Sequence, residues 1–382
     1  MKSLALLLPA MRLGGAEKIA LNFIPELMKH FKVTVILNKK EGELLDRLPE
    51  GVEVIEDKLM SFGELVKYDF KHFRLIKLFR DFVYYIKIKF KKNSDKNYRY
   101  LVSRTPQLNR RFDIAIAYVA NVSTQIFSCL DRTDADKKIA WIHGETTELK
   151  DVKLYTECYA GFDKIFCVSG VSRNHFVEKF PSIADKCDVY YNPINRDEII
   201  EKAKEAPDVQ FDSEFINILS VGRISPEKGF DMVPRVAKIL RDKGYPVRFY
   251  IIGDGAWAPM VREQIEKKGT EDSVFLLGTK TNPHPYMKAC DIYVQPSYEE
   301  GYSTTICEAG TLGCAIVGTT TSGGIREQVE DGVSALLAEP TAESIAEKIE
   351  QLINDSVLMR TLRDNVAKID FSNRCEIQKI LN

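Results

Sequence analysis

Several features that would narrow the function quickly are missing from this 382-residue sequence. Net charge is nearly absent: 54 Lys and Arg stand against 55 Asp and Glu, a balance of −1. No whole-protein field therefore draws the chain to nucleic acid. There is no C-x-x-C pair. The eight cysteines, Cys129, Cys158, Cys167, Cys187, Cys290, Cys307, Cys314 and Cys375, are scattered. That spread excludes zinc-ribbon spacing and fits buried thiols in a reducing, cytoplasmic setting. Long apolar runs are missing too. The opening stretch MKSLALLLPAMRLGGAEK holds five apolar residues, Leu4 to Leu8, before Pro9. Five is short for the core of a secretion signal and fits a buried first strand better. No run reaches the length of a membrane span. No sequence repeat is visible, and no cluster of Asp, Cys or His has metal-ligand spacing, so neither a metal nor another cofactor is expected.

What is present is a globular composition, 45% hydrophobic and 29% charged, in a chain long enough for two domains. Short apolar runs alternate with helical patterns. SLALLL is followed by GGAEKIALNFIPELMKH, where Ile19, Phe23 and Leu27 share a face. VTVILN, FDIAIAYV, KIAWIH and DKIFCVS come next. Such alternation predicts a parallel sheet covered by helices. The pattern restarts after Asn192–Arg196, where Pro193 stiffens the chain. FINILSVG, VRFYIIG, SVFLLG, DIYVQP, CAIVG and SALLA are the strands of a second half. The predicted domains are 1–195 and 196–367, with 368–382 as a C-terminal segment returning to the first.

One segment breaks this rhythm. Residues 67–99 hold eleven Lys and Arg against three Asp, with nine aromatics interleaved. Leu75, Phe79, Phe82, Val83, Ile86 and Phe90 share a helical face, and Arg74, Lys77, Arg80 and Lys87 lie largely off it. The segment reads either as a helical excursion packed on the first domain or as a helix on an anionic membrane surface.

The stretch YEEGYSTTICEAGTLG, from Tyr298 to Gly313, follows the strand DIYVQP. A loop leaving the carboxyl end of a strand is where open α/β sheets hold ligands. Gly301 lets backbone approach a ligand closely, and Tyr302 stands beside it. Ser303, Thr304 and Thr305 fall at a helix start, where free N–H groups, hydroxyls and the helix dipole favour an anion. Glu300 stays in the loop and Glu308 lies just over a turn into the helix. Ionised carboxylates only accept hydrogen bonds, which suits sugar hydroxyls. A second stretch, SVGRISPEKGF, sets Arg223 and Lys228 just past another strand end, and two cations on such a loop suit a diphosphate. TTTSGGIREQVEDG repeats the strand–loop–helix device with Gly323 and Gly324.

GRISPEKG, then EGYSTTICEA, then GGIRE, together resemble the signature of family 4 retaining glycosyltransferases. The likeness runs from Val221 to Ala346, with GGAEK (Gly14–Lys18) and the His of WIHGE added in the first half. It implies α/β architecture of the GT-B kind: two Rossmann-like domains facing a central cleft, the first for the acceptor and the second for a nucleotide sugar. By the same resemblance, Arg223 and Lys228 bind the donor diphosphate, with Gly15 against it. Glu300 holds hydroxyls of the donor sugar, Glu308 the nucleotide ribose, and His143 lines the reaction centre. The sequence departs from the common E-G-x-G at Ser303, which replaces the second glycine. The implied donor is a nucleotide-diphosphate sugar, with uracil the commonest base in such enzymes. The implied acceptor is a glycan, lipid-linked if 67–99 binds membrane. No metal is required if cations and a helix start neutralise the leaving diphosphate.

Other readings stay open. Gly253-x-Gly255-x-x-Ala258 imitates a dinucleotide fingerprint but lacks the acidic residue at the required spacing. A glycosidase using Glu300 and Glu308 leaves Arg223 and Lys228 without a role. A nucleotide-sugar epimerase of the same architecture, or a non-catalytic sugar-binding subunit, remains as an alternative.

Overall fold

The computed structural model describes residues 1–12, 14–72, 95–144, 149–320, 323–372 and 376–381. The chain divides into two compact units, Met1–Tyr190 with Cys375–Asn382, and Tyr191–Arg374.

In the first unit the described strands are β1 (Lys2–Leu8), β2 (Phe31–Leu37), β3 (Glu53–Glu56), β4 (Arg111–Ala117), β5 (Asp134–Ile142), β6 (Lys164–Cys167) and β7 (Cys187–Val189). They form one parallel sheet in the order β3-β2-β1-β4-β5-β6-β7. β1 is an interior strand between β2 and β4, and Leu4 to Leu8 are buried. Helices covering both faces of a parallel sheet explain why that strand reads as an unbroken apolar run. Phe23 of the helix Gly15–Met28 packs edge-on against Trp141 of β5, with ring centres 5.2 Å apart. β3 and β7 escape the sequence reading. They are short edge strands whose residues are largely half-buried, so neither carries a run.

Only the ends of the basic 67–99 segment are described. Helix Phe62–Lys71 opens on a capping box between Ser61 and Glu64, and helix Asp95–Arg104 follows. Buried Asp69 and Arg104 join the two helices as an ion pair. Arg74, Lys77, Arg80 and Lys87, and the apolar residues Leu75, Phe79, Phe82, Val83, Ile86 and Phe90, lie outside the described residues.

The second unit contains β8 (Ile216–Val221), β9 (Val247–Ile252), β10 (Val274–Leu276), β11 (Ile292–Gln295), β12 (Ala315–Thr319) and β13 (Leu336–Ala338). The sheet runs β10-β9-β8-β11-β12-β13, all parallel. Counted within the unit, that order is 3-2-1-4-5-6, the doubly wound arrangement of Rossmann-like domains. The winding reverses between β8 and β11, where Ile218 pairs with Ile292. Ligands of such sheets bind outside the strand ends at that reversal. The two loops leaving it there are those of Arg223–Lys228 and Tyr298–Ser303.

Candidate active site

The loop after β8 turns through Pro226–Lys228 and ends at Gly229, which has a left-handed φ of +65°. A side chain there would also run into the carbonyl of Pro296. Only glycine fits, and it seats the Lys228 loop on the end of β11. Lys228 Nζ then lies 2.7 Å from Glu300 Oε2, and both side chains are largely buried, at 20% and 10% exposure. An ammonium carries three donors, so one bond to Glu300 leaves others for a ligand. Arg223, on the same loop, is exposed and makes no ion pair among the described residues. The two expected diphosphate cations thus differ in kind: one is tied into the site and one stands free.

Beyond Glu300 the chain enters the helix Thr304–Thr311. Ser303 is its N-cap, accepting from the N–H of Ile306 at 3.3 Å. Asn, Asp, Ser and Thr are favoured at this position because they satisfy one orphan donor. The three hydroxyls expected to serve a ligand therefore separate. Ser303 Oγ caps the helix and lies 3.0 Å from Thr305 Oγ1, which donates to Gln295 Oε1 at 2.9 Å. Only the Thr304 hydroxyl makes no hydrogen bond among the described residues. The backbone N–H groups of Thr304 and Thr305 stand at the helix start, where no intrahelical acceptor exists. Tyr302 is buried, its ring tilted against that of Tyr191 with centres 5.3 Å apart.

Glu300 and Gly301 are held from another side. A Cβ on Gly324, in the helix Gly323–Arg326, would overlap the carbonyls of both residues. Gly324 thus serves close backbone packing onto the Glu300 loop.

Beneath the loop runs a buried hydrogen-bond chain that sequence reasoning missed. Tyr293 Oη and Thr305 Oγ1 both donate to Gln295 Oε1, at 2.8 and 2.9 Å. Gln295 Nε2 donates to Ser297 Oγ at 2.9 Å, and Ser297 Oγ donates to Glu300 Oε2 at 3.3 Å. Burial pushes the Tyr293 phenol well above its ordinary range, so it remains a donor. Gln328 clamps Ser303 from both sides, accepting its N–H at 3.1 Å and donating to its carbonyl at 2.7 Å. Tyr293, Gln295 and Ser297 recur every second residue, and that spacing was the available signal. Gln328 offered none.

Glu308 projects from the next turn of the helix, and His284 Nε2 approaches its Oε2 to 3.6 Å. His284 is a further residue that sequence reasoning passed over.

In the first unit, Gly15 is the first residue of its helix, and a Cβ there would meet nothing within 4 Å. His143 directly follows β5, its ring centre 4.4 Å from that of Tyr118. Its Nε2 is buried without a hydrogen-bond partner among the described residues. Burial lowers its pKa to about 3, so the imidazole is neutral at neutral pH. Among the described residues no three His, Cys, Asp or Glu side chains gather as a metal site, and no helix is long and apolar enough to cross a membrane.

Residues 201–369 match the family model Glycosyl transferases group 1. The match falls within the second unit. The chain is also similar, at 25% identity over 369 residues, to a named enzyme of Campylobacter jejuni subsp. jejuni. That relative is N-acetylgalactosamine-N,N'-diacetylbacillosaminyl-diphospho-undecaprenol 4-alpha-N-acetylgalactosaminyltransferase, and the match takes in 95% of this chain and 93% of the relative. It is 29% identical over 167 residues to the poly(ribitol-phosphate) alpha-N-acetylglucosaminyltransferase of Staphylococcus aureus, but over only 42% of this chain and 34% of that protein. Among solved structures, Anabaena HepE with UDP and glucose superposes with a TM-score of 0.72 at 18% identity, covering 100% of this chain and 99% of that chain. TarM gives 0.71 at 15% identity, over 100% and 98%. At such identities the likeness concerns the fold, which is the two-domain α/β fold of GT-B glycosyltransferases.

Proposed function

We propose that this glycosyltransferase moves a sugar from a UDP-sugar to a hydroxyl of a lipid-linked glycan, with retention of anomeric configuration and without a metal. The observation that carries the reading is the Lys228–Glu300 pair, 2.7 Å apart, beside a helix start with free N–H groups. A diphosphate there meets Arg223, Lys228 and the N–H groups of Thr304 and Thr305. Together they stabilise the negative charge that grows on the leaving group. Glu300 is fixed by Lys228 and Ser297 and accepts from hydroxyls of the donor sugar. Glu308 accepts from the ribose. The anomeric carbon–phosphate oxygen bond breaks as the acceptor oxygen bonds to the same face, and the acceptor proton passes to the leaving phosphate. No carboxylate acts as nucleophile. His143 is read as the site residue of the first unit, its imidazole held neutral by burial.

The donor class draws support from HepE, whose structures hold UDP, glucose and UDP-glucose. The acceptor class draws support from the Campylobacter relative, named for a diphospho-undecaprenol-linked substrate. The work is assigned to the cytoplasmic face of a membrane, with the 67–99 segment as the contact.

The test is a panel of nucleotide sugars. A bound donor raises the unfolding temperature, and the donor that does so is then supplied with undecaprenyl-diphosphate glycans. Transfer that continues in chelator, with a product linkage of the donor's own configuration, is the expected result. Inverted product, or activity that returns only with a divalent cation, overturns the mechanism. Isomerised nucleotide sugar without an acceptor would point to an epimerase instead.

A further inference from the structure

His284 opens the helix His284–Ala289, and its position is fixed from several directions. Its N–H donates to Asn282 Oδ1 at 3.1 Å, and Asn282 Nδ2 donates in turn to the carbonyl of Lys202 at 2.9 Å. Tyr286, two residues on, donates to Asp208. The imidazole is only 10% exposed, and neither ring nitrogen has a hydrogen-bond partner among the described residues or open surface. A neutral imidazole carries one donor and one acceptor, and buried polar groups in folded proteins are normally satisfied. The nearest charged group, Glu308 Oε2, stands 3.6 Å from Nε2. That is just beyond hydrogen-bond reach. Glu308 keeps 20% of its side chain exposed.

We propose that His284 is a positioning residue for Glu308: its Nε2–H closes on Oε2 when a nucleotide ribose docks, fixing the carboxylate plane against the ribose diol. The inference rests on the donor-site reading of Glu308. A carboxylate held on one oxygen presents its remaining lone pairs at set angles to two neighbouring hydroxyls. Without that bond it rotates, and preference for an intact diol falls. His284 thereby tunes discrimination between ribonucleotide and deoxyribonucleotide donors without touching the ligand.

The experiment compares the binding of UDP and 2′-deoxy-UDP by calorimetry in wild type, His284→Phe and His284→Gln, using the GDP or ADP pair if UDP does not bind. Wild type is expected to favour the ribonucleotide at least about tenfold, as loss of a hydrogen bond to a charged group implies. His284→Phe is expected to bring that ratio close to one while leaving affinity for the deoxynucleotide unchanged. His284→Gln, which retains an N–H, is expected to restore it. If His284→Phe does not fold, His284→Met takes its place. A ratio in the apolar variant equal to that of wild type overturns the inference alone. A ratio lost equally in His284→Gln reduces His284 to packing and overturns it too. If wild type binds both nucleotides equally, or binds no nucleoside diphosphate, the reading of Glu308 fails first and the inference falls with it.

Discussion

Lys228 Nζ and Glu300 Oε2 stand 2.7 Å apart, joining the loop after β8 to the loop after β11 at the reversal of the second sheet. The pair makes the two residues energetically dependent. Removing either leaves a largely buried charge without its partner. Lys228→Met and Glu300→Gln are each expected to lower stability by about 1–3 kcal/mol. The double change should cost less than their sum, with a coupling of about 0.5–3 kcal/mol. Urea denaturation of the four proteins measures this. Strict additivity would mean that the pair is not formed in solution.

Arg223 behaves differently because it is exposed and has no ion pair among the described residues. Arg223→Ala should leave the unfolding midpoint within the range of a surface change, about 0.5 kcal/mol. Donor affinity should fall about tenfold or more, since a charge-assisted bond contributes roughly 1.5–3 kcal/mol. Wild-type donor affinity in this variant would remove Arg223 from the diphosphate site.

These two cations also mark the reach of the sequence. Their loop was legible because a charged, glycine-bounded stretch follows a strongly apolar strand. Strand-by-strand architecture was legible for the same reason, since buried parallel strands read as apolar runs. What lay hidden was pairing across distance. Ser303 looked like a ligand-facing hydroxyl, yet its Oγ caps its own helix and Gln328, 25 residues on, holds its backbone. Gln328 and His284 are buried polar residues whose neighbours, Ser303 and Glu308, belong to another element. Local pattern carries no trace of such partners. Edge strands β3 and β7 were hidden for a simpler reason: half-buried and short, they have no periodicity to detect.

Gly324 gives a test of the backbone beneath Glu300. Gly324→Ala places a methyl group against the carbonyls of Glu300 and Gly301, so the loop has to move. Overpacking of this kind costs about 1–3 kcal/mol. Displacement of a positioning residue by about 1 Å is expected to lower turnover roughly a hundredfold. Steady-state rates with unchanged thermal stability and full turnover would show that the loop yields without consequence.

His143 makes a prediction about pH. Its folded-state pKa, about 3 through burial, lies below the ordinary histidine value of about 6.5. Above the ordinary value the ring is neutral in both states and costs nothing. As pH falls below it, the unfolded chain takes a proton that the folded chain refuses. Stability is then lost progressively until pH reaches the folded-state value. His143→Phe lacks this loss, so its urea midpoint should fall less than that of wild type between pH 7 and pH 5, two values chosen on either side of about 6.5. Parallel slopes in the two proteins would place the ring in contact with water.

The final prediction concerns the membrane. The segment 67–99 carries eleven Lys and Arg, and the helices at its ends are joined by the buried Asp69–Arg104 pair. A basic, aromatic stretch anchored in this way has a fixed base on the first unit. Each Lys or Arg near an anionic surface contributes about 1 kcal/mol, so a handful suffices to hold the enzyme without a span. The protein is expected to sediment with phosphatidylglycerol vesicles, not with neutral phosphatidylcholine vesicles. Binding should weaken as salt shortens the screening length from about 10 Å at 0.1 M. Exchange of Arg74, Lys77, Arg80 and Lys87 for glutamine should release it while leaving binding of UDP unchanged, because none of the four belongs to the donor unit. Transfer to a water-soluble acceptor should then persist and transfer to a lipid-linked one should fall. A wild-type protein that stays in the supernatant at low salt would confine the segment to packing, and the membrane would lose its support from this chain's own residues.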